Sequence, residues 1–163
     1  VTVVRGSPWK PVVVAGGIAI VVSAAGALMT DLSPWYYALK RPTWQPPDWL
    51  FGPVWTTIFI LSTLAAVLSW RVASNSAERR RIVVLFAINI VLNLLWSALF
   101  FRLHHPDFAF VDALFLWLSV LALAVGLGSL SRLAGLLLVP YLVWVTFAAT
   151  LTFNIWRLNP PFI

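Results

Sequence analysis

Five runs of apolar residues, each about as long as the hydrocarbon core of a bilayer is thick, set the limits on what this chain can fold into. A helix crossing that core needs roughly 20 predominantly apolar residues. Such runs lie at about residues 11–29, 50–70, 82–101, 108–130 and 133–156. They are too long for strands, and no ten-residue alternation points to a membrane barrel. With 61% hydrophobic and 10% charged residues in 163 positions, the chain cannot supply the polar surface of a soluble globule. The sequence therefore predicts an all-α integral membrane protein, a single domain built as a five-transmembrane-helix bundle.

Charge placement gives the orientation. Of the 11 Lys and Arg, seven (Arg5, Lys10, Arg71, Arg79, Arg80, Arg81 and Arg132) fall on the side shared by the N-terminal tail and the second and fourth loops. Lys40, Arg41, Arg102 and Arg157 fall on the other. Basic residues concentrate on the cytoplasmic side. The N-terminus is thus expected inside, with the first loop and the C-terminus opposite. Helical spans favour an inner over an outer bacterial membrane. A net charge of +6 placed beside apolar spans suits anionic lipid headgroups rather than nucleic acid. With no cysteine, disulfides, thiolate nucleophiles and Cys-based metal sites are excluded.

The first run has two readings. Arg5 and Lys10 precede an apolar stretch ending in Ala25-Gly26-Ala27, as in a secretory leader. Against that, Ala15, Ala19, Ser23 and Ala27 recur four apart on one helix face suited to close packing. Ala122 with Gly126 and Ala124 with Gly128 form similar pairs, fit for contact within a protomer or between two.

Between the first two runs, the segment from Trp35 to Trp55 holds four of the 10 tryptophans and four prolines. Pro42, Pro46 and Pro47 stiffen it, since each lacks an N–H and biases its predecessor towards extended geometry. Its aromatic residues form either an interfacial belt or a lid over the bundle, with Trp44 and Trp49 as anchors. Phe51, Trp55 and Phe59 then share a face, as a core stripe or a pocket wall.

Polar side chains inside the spans are the next signal. Asn89, Asn93 and Ser97 line one face of the third span beside Trp96 and Phe100, and amides in hydrocarbon need a partner across a helix interface or on a ligand. Asp112 either snorkels or accepts from the third-loop backbone, or else serves a function. Pro140 permits a kink, beyond which Tyr141, Trp144, Ala148, Leu151 and Thr152 outline a slot for a flat ligand. His104, His105 and Asp107 have metal-ligand types but not ligand spacing, so no metal site is expected. No nucleophile triad or phosphate loop is present.

Trp35-Tyr36, Leu39, Pro42, Trp44, Pro46-Pro47, Trp49 and Gly52-Pro53-Val54-Trp55 resemble the first-loop signature of the tryptophan-rich sensory protein (TspO/MBR) family, bacterial relatives of the mitochondrial translocator protein or peripheral benzodiazepine receptor. The likeness continues through Asn93, Trp96, Phe100-Phe101, Asp112 and residues 140–144 to Phe147-Ala148 and Trp156-Arg157. It implies a five-helix bundle, commonly a homodimer, that binds tetrapyrroles such as protoporphyrin IX or a haem-related ligand without a covalent cofactor. By that resemblance the ligand-binding residues are Tyr36, Trp55, Asn93, Trp96, Trp144, Ala148 and Leu151, with Lys40, Arg41 and Arg157 at a rim able to meet propionates. The family's sterol motif is only partly matched by Leu151, Phe153 and Arg157. Phe153 lacks the expected tyrosine hydroxyl, which argues against sterol binding. Three roles follow from the resemblance: a tetrapyrrole receptor or regulator, a porphyrin transporter, or a light- and oxygen-dependent porphyrin-degrading enzyme with Trp55 and Trp144 as its catalytic residues. The absence of an internal repeat disfavours alternating access, so the receptor is the expected role.

Overall fold

In the computed structural model, which describes residues 9–160, the five spans close into a ring. Arg5 lies outside the described residues. The spans are α1 (Lys10–Met29), α3 (Phe51–Val72), α4 (Ser76–Ser97), α5 (Pro106–Gly128) and a last crossing divided into α6 (Arg132–Leu137) and α7 (Val139–Leu158). A short α2 (Pro34–Ala38) belongs to the first loop. Five helical stretches, Lys10–Met29, Asp48–Val72, Ser76–Arg102, Pro106–Gly128 and Arg132–Leu158, are long and apolar enough to cross a membrane. Large apolar side chains such as Val13, Ile20, Val91, Val125 and Val143 stand on the outer surface, where lipid replaces water as solvent.

The order around the ring follows from which helices touch. α1 packs on α3 and α4, α4 on α5, α5 on α6 and α7, and α3 on α6. α5 is the best buried, with Leu116, Val120, Leu123 and Leu127 almost fully enclosed. Polar struts join the helices: Asn89 Nδ2 donates to Ser119 Oγ at 2.9 Å, and Trp117 Nε1 donates to Thr146 Oγ1 at 2.8 Å. Such bonds are what amides and indoles inside hydrocarbon require.

Three local features depart from the simple apolar runs. α4 begins six residues before the expected 82, because Asn75 caps it by accepting from Glu78 N at 2.9 Å while Glu78 Oε2 accepts from Ser74 N at 2.7 Å. That reciprocal cap carries Arg79, Arg80 and Arg81 on helix rather than on a loop. At its far end α4 widens into a π-helical turn, Ala98–Arg102, where Leu103 N reaches back to Ala98 O at 2.9 Å. The kink expected at Pro140 is instead an interruption. α6 stops at Leu137, and Pro140 sits in the first turn of α7, where the missing N–H leaves no bond broken.

Part of the small-residue pattern serves contacts within the protomer. A Cβ on Gly126 would meet Leu85 of α4 at 2.8 Å, and Gly135 of α6 lies against Ala124 O and Gly128 Cα. Along α1, Ala15 and Ala19 border one open cavity and Ser23 and Ala27 another. Ala122 faces outward.

Candidate functional site

A cavity of about 520 Å³ opens between α1, α3, α4 and α7 beneath the first loop. α1 faces it with Ser23, Gly26 and Ala27. Nothing lies within 4 Å of where a Gly26 Cβ would stand, so the small residues leave room rather than seat a neighbouring helix.

Its walls are aromatic. Phe51 meets Trp144 edge-on with ring centroids 5.5 Å apart, Trp55 stacks on Phe59 at 5.6 Å, and Trp96 stacks on Phe100 at 5.5 Å. The π-helical turn turns both Phe100 and Phe101 inward, where they are buried against the lid. A regular α-helix places adjacent residues about 100° apart, so the extra residue in the turn is what lets both rings serve one wall. From α7 come Trp144, Ala148, Leu151 and Thr152.

The roof is a hydrogen-bonded lid. Tyr36 Oη donates to Asp48 Oδ1 at 2.7 Å and accepts from Gln45 Nε2 at 3.1 Å. Burial, then the neighbouring Asp48 carboxylate, push the Tyr36 hydroxyl up to about 12. Arg41 stands 3.7 Å from the same carboxylate oxygen and 4.9 Å over the Tyr36 ring. Elsewhere the loop is fastened at both edges. Asn159 Oδ1 accepts from Lys40 N and its Nδ2 donates to Lys40 O, each at 2.8 Å. On the other edge Trp35 stacks on His104 at 4.1 Å, and His104 takes a positive φ of 58°, a left-handed conformation that histidine tolerates better than most residues.

At the cavity floor, Tyr141 Oη donates to Asn89 Oδ1 at 3.1 Å and accepts from Asn93 Nδ2 at 3.3 Å. Asn93 therefore borders the cavity while bonded across to α7, and Asn89 lies below it. Two donors in the lining have no partner: Trp96 Nε1 and Trp144 Nε1. Buried indole N–H groups normally find an acceptor, and these two have none within the protein.

All seven residues expected to bind ligand, Tyr36, Trp55, Asn93, Trp96, Trp144, Ala148 and Leu151, border this one cavity. Lys40, Arg41 and Arg157 do not. Arg41 is engaged with Asp48 above the roof, and Arg157 is exposed on the last turn of α7. Leu151 faces the cavity while Phe153 packs outside it on Phe110 and Trp156, so Leu151 and Phe153 of the sterol-like motif do not share a surface. Trp44 and Trp49 are exposed. Asp112 is buried, with Oδ2 unpaired and away from the cavity, which rules out the snorkelling alternative. His105 Nδ1 lies 3.4 Å from Asp107 Oδ1, and no group of three metal-binding side chains gathers among the described residues. Gln45, Asp48 and Phe101 are site residues that sequence reasoning missed: no periodicity marks the contacts that the folded loop makes through the first two, and the π-helical turn brings in the third.

Residues 12–157 match the model of the TspO/MBR family. The chain belongs to that family. Its similarity to the tryptophan-rich protein TspO of Chlorobaculum tepidum is 45% identity, covering 88% of this chain and 92% of that protein. Protein CrtK of Rhodobacter capsulatus is 40% identical over 86% of this chain and 89% of its own length. The translocator protein of Sus scrofa is 34% identical over 93% and 92%. Membership of TspO/MBR and five apolar helices make this a multi-pass membrane protein.

Proposed function

We propose that the protein is a membrane receptor for a tetrapyrrole such as protoporphyrin IX, held in the aromatic cavity beneath the first loop and regulating the protein's contacts by its occupancy. The observation that carries this reading is the cavity of about 520 Å³ itself, walled by rings from three helices: Phe51 and Trp55 of α3, Trp96 of α4 and Trp144 of α7. A large flat π-system suits such walls, because its faces stack on Trp and Phe. The family's tetrapyrrole ligands, implied by the sequence resemblance, fit that description. With Arg41 turned to Asp48, stacking supplies the larger share of affinity, and propionates reach cations only if the lid opens.

In this reading the N-terminus lies in the cytoplasm, the lid and C-terminus on the opposite face, and the membrane is an inner one. Titration of purified protein with protoporphyrin IX tests the site. Saturable quenching of tryptophan fluorescence is expected, weakened at least about tenfold by Trp55→Ala or Trp144→Ala, since each removes a stacking surface. Unchanged affinity in both variants overturns the assignment. The same samples, illuminated under air, decide the enzymatic alternative: porphyrin loss that depends on Trp55 and Trp144 and gives products different from those of free porphyrin would assign degradation instead of reception.

A further inference from the structure

A second cavity, of about 530 Å³, lies at the other end of the bundle between α1, α3 and α4. We propose that it holds one acyl chain of an anionic phospholipid, with the headgroup at Lys10. The cavity is bordered by apolar side chains such as Ile18, Val22, Val67 and Phe86, and Lys10 is the one charged residue in its lining. Trp70 also borders it, and Arg79 lies over the Trp70 ring at 5.3 Å. A greasy slot within the hydrocarbon, with cations and a tryptophan at the headgroup level, matches a phospholipid part for part. Water is a poor occupant. Thr63 Oγ1 is bonded back to Phe59 O, and Asn89 and Tyr141 are bonded to one another. Ser62 Oγ is left as an unpartnered hydroxyl, and a buried water needs two to four polar partners. The void left by an empty cavity forfeits the dispersion contacts that a hydrocarbon chain provides. The site is separate from the tetrapyrrole cavity: the Asn89–Tyr141–Asn93 bonds and Phe59 form the partition.

The experiment uses the full-length chain in detergent micelles with phosphatidylglycerol carrying a diazirine near the end of one acyl chain, and adducts are mapped by mass spectrometry. Labelling of α1, α3 and α4 at cavity residues such as Ile18 and Val67 is expected. Ala66→Trp and Ala15→Phe, each filling the slot from a different helix, should abolish it in protein that still unfolds cooperatively. Lys10→Gln should lower it about fivefold, the effect of one basic residue at an anionic surface, and the matching phosphatidylcholine probe should label less. Adducts spread over the outer faces of all helices and indifferent to both filling variants overturn the site. Equal labelling by phosphatidylcholine, together with no effect of Lys10→Gln, overturns the anionic headgroup. Cavity labelling by diazirine palmitate but not by phosphatidylglycerol overturns the phospholipid in favour of a free fatty acid.

Discussion

The phenol oxygen of Tyr141 lies 3.1 Å from Asn89 Oδ1, tying α7 to α4 at the level where the two cavities meet. Tyr141 is buried and also accepts from Asn93, and Asn89 passes the chain on to Ser119 of α5. Tyr141→Phe keeps the ring against Trp55 but strands an amide oxygen and an amide N–H in hydrocarbon. We expect a loss of about 1–2 kcal/mol, since interhelical hydrogen bonds in membranes span roughly 0.6 to 2 kcal/mol. Thermal unfolding in detergent measures it. Asn89→Leu should cost a similar amount, and the double variant less than the sum, because both remove the same bond.

The lid should hold over a defined pH range. In the folded protein the Tyr36 hydroxyl is raised from its ordinary 10.0 to about 12, first by burial and then by Asp48. A raised folded value means that the neutral phenol is favoured, so its contribution is complete below about 10 and is lost as pH climbs to about 12. The phenolate absorbance missing from Tyr36→Phe protein reports the titration, and a midpoint at 10 would show that the hydroxyl is neither buried nor held by Asp48 in solution.

Tyr36→Phe also leaves Asp48 Oδ1 and Gln45 Nε2 without their shared partner. Losing a hydrogen bond to a charged group costs about 1.5–3 kcal/mol when both groups are buried, and the lower end applies to this partly exposed lid. Faster dissociation of bound porphyrin, with association little altered, is the expected signature in stopped-flow quenching. Asp48→Asn should resemble it.

Five spans and the composition of the pocket were legible because they depend on local runs and on helix periodicity. Residues 51, 55 and 59 and residues 144, 148 and 151 share faces wherever the helices go, and those faces meet at one cavity. What escaped the sequence depends on tertiary geometry. The π-helical turn at Ala98–Arg102 arises inside a stretch whose residues favour an ordinary helix. The rim cations, expected from sharing one membrane face with the first loop, do not border the cavity, and Arg41 is drawn to an Asp48 that only the folded loop brings close. Small residues on α1 carry the spacing of a packing face, yet Ser23 and Ala27 border a cavity, and periodicity cannot distinguish the two.

Gly135 tests the α5–α6 contact. A Cβ there would stand 2.8 Å from both Ala124 O and Gly128 Cα, which are backbone atoms that cannot swing away. Gly135→Ala should therefore destabilise by about 1–3 kcal/mol, as overpacking does. Gly16→Ala meets nothing within 4 Å and should be neutral or slightly stabilising, since alanine favours helix by about 1 kcal/mol. Unfolding midpoints of the two variants in the same detergent make the comparison.

The unpartnered indoles give a test that separates stability from affinity. Trp96 Nε1 and Trp144 Nε1 are buried donors with no acceptor in the protein. In the ligand-free state each carries an unmet polar group, so Trp→Phe, which keeps most of the ring and deletes the N–H, should leave stability unchanged or raise it. If a bound ligand supplies the acceptor, the same change removes a hydrogen bond worth about 0.5–1.5 kcal/mol, a two- to tenfold weaker affinity. Unfolding without ligand and fluorescence titration with protoporphyrin IX, run on Trp96→Phe and Trp144→Phe, measure the two quantities. A loss of stability with unaltered affinity would mean that the N–H groups face protein rather than ligand, and that stacking alone holds the porphyrin.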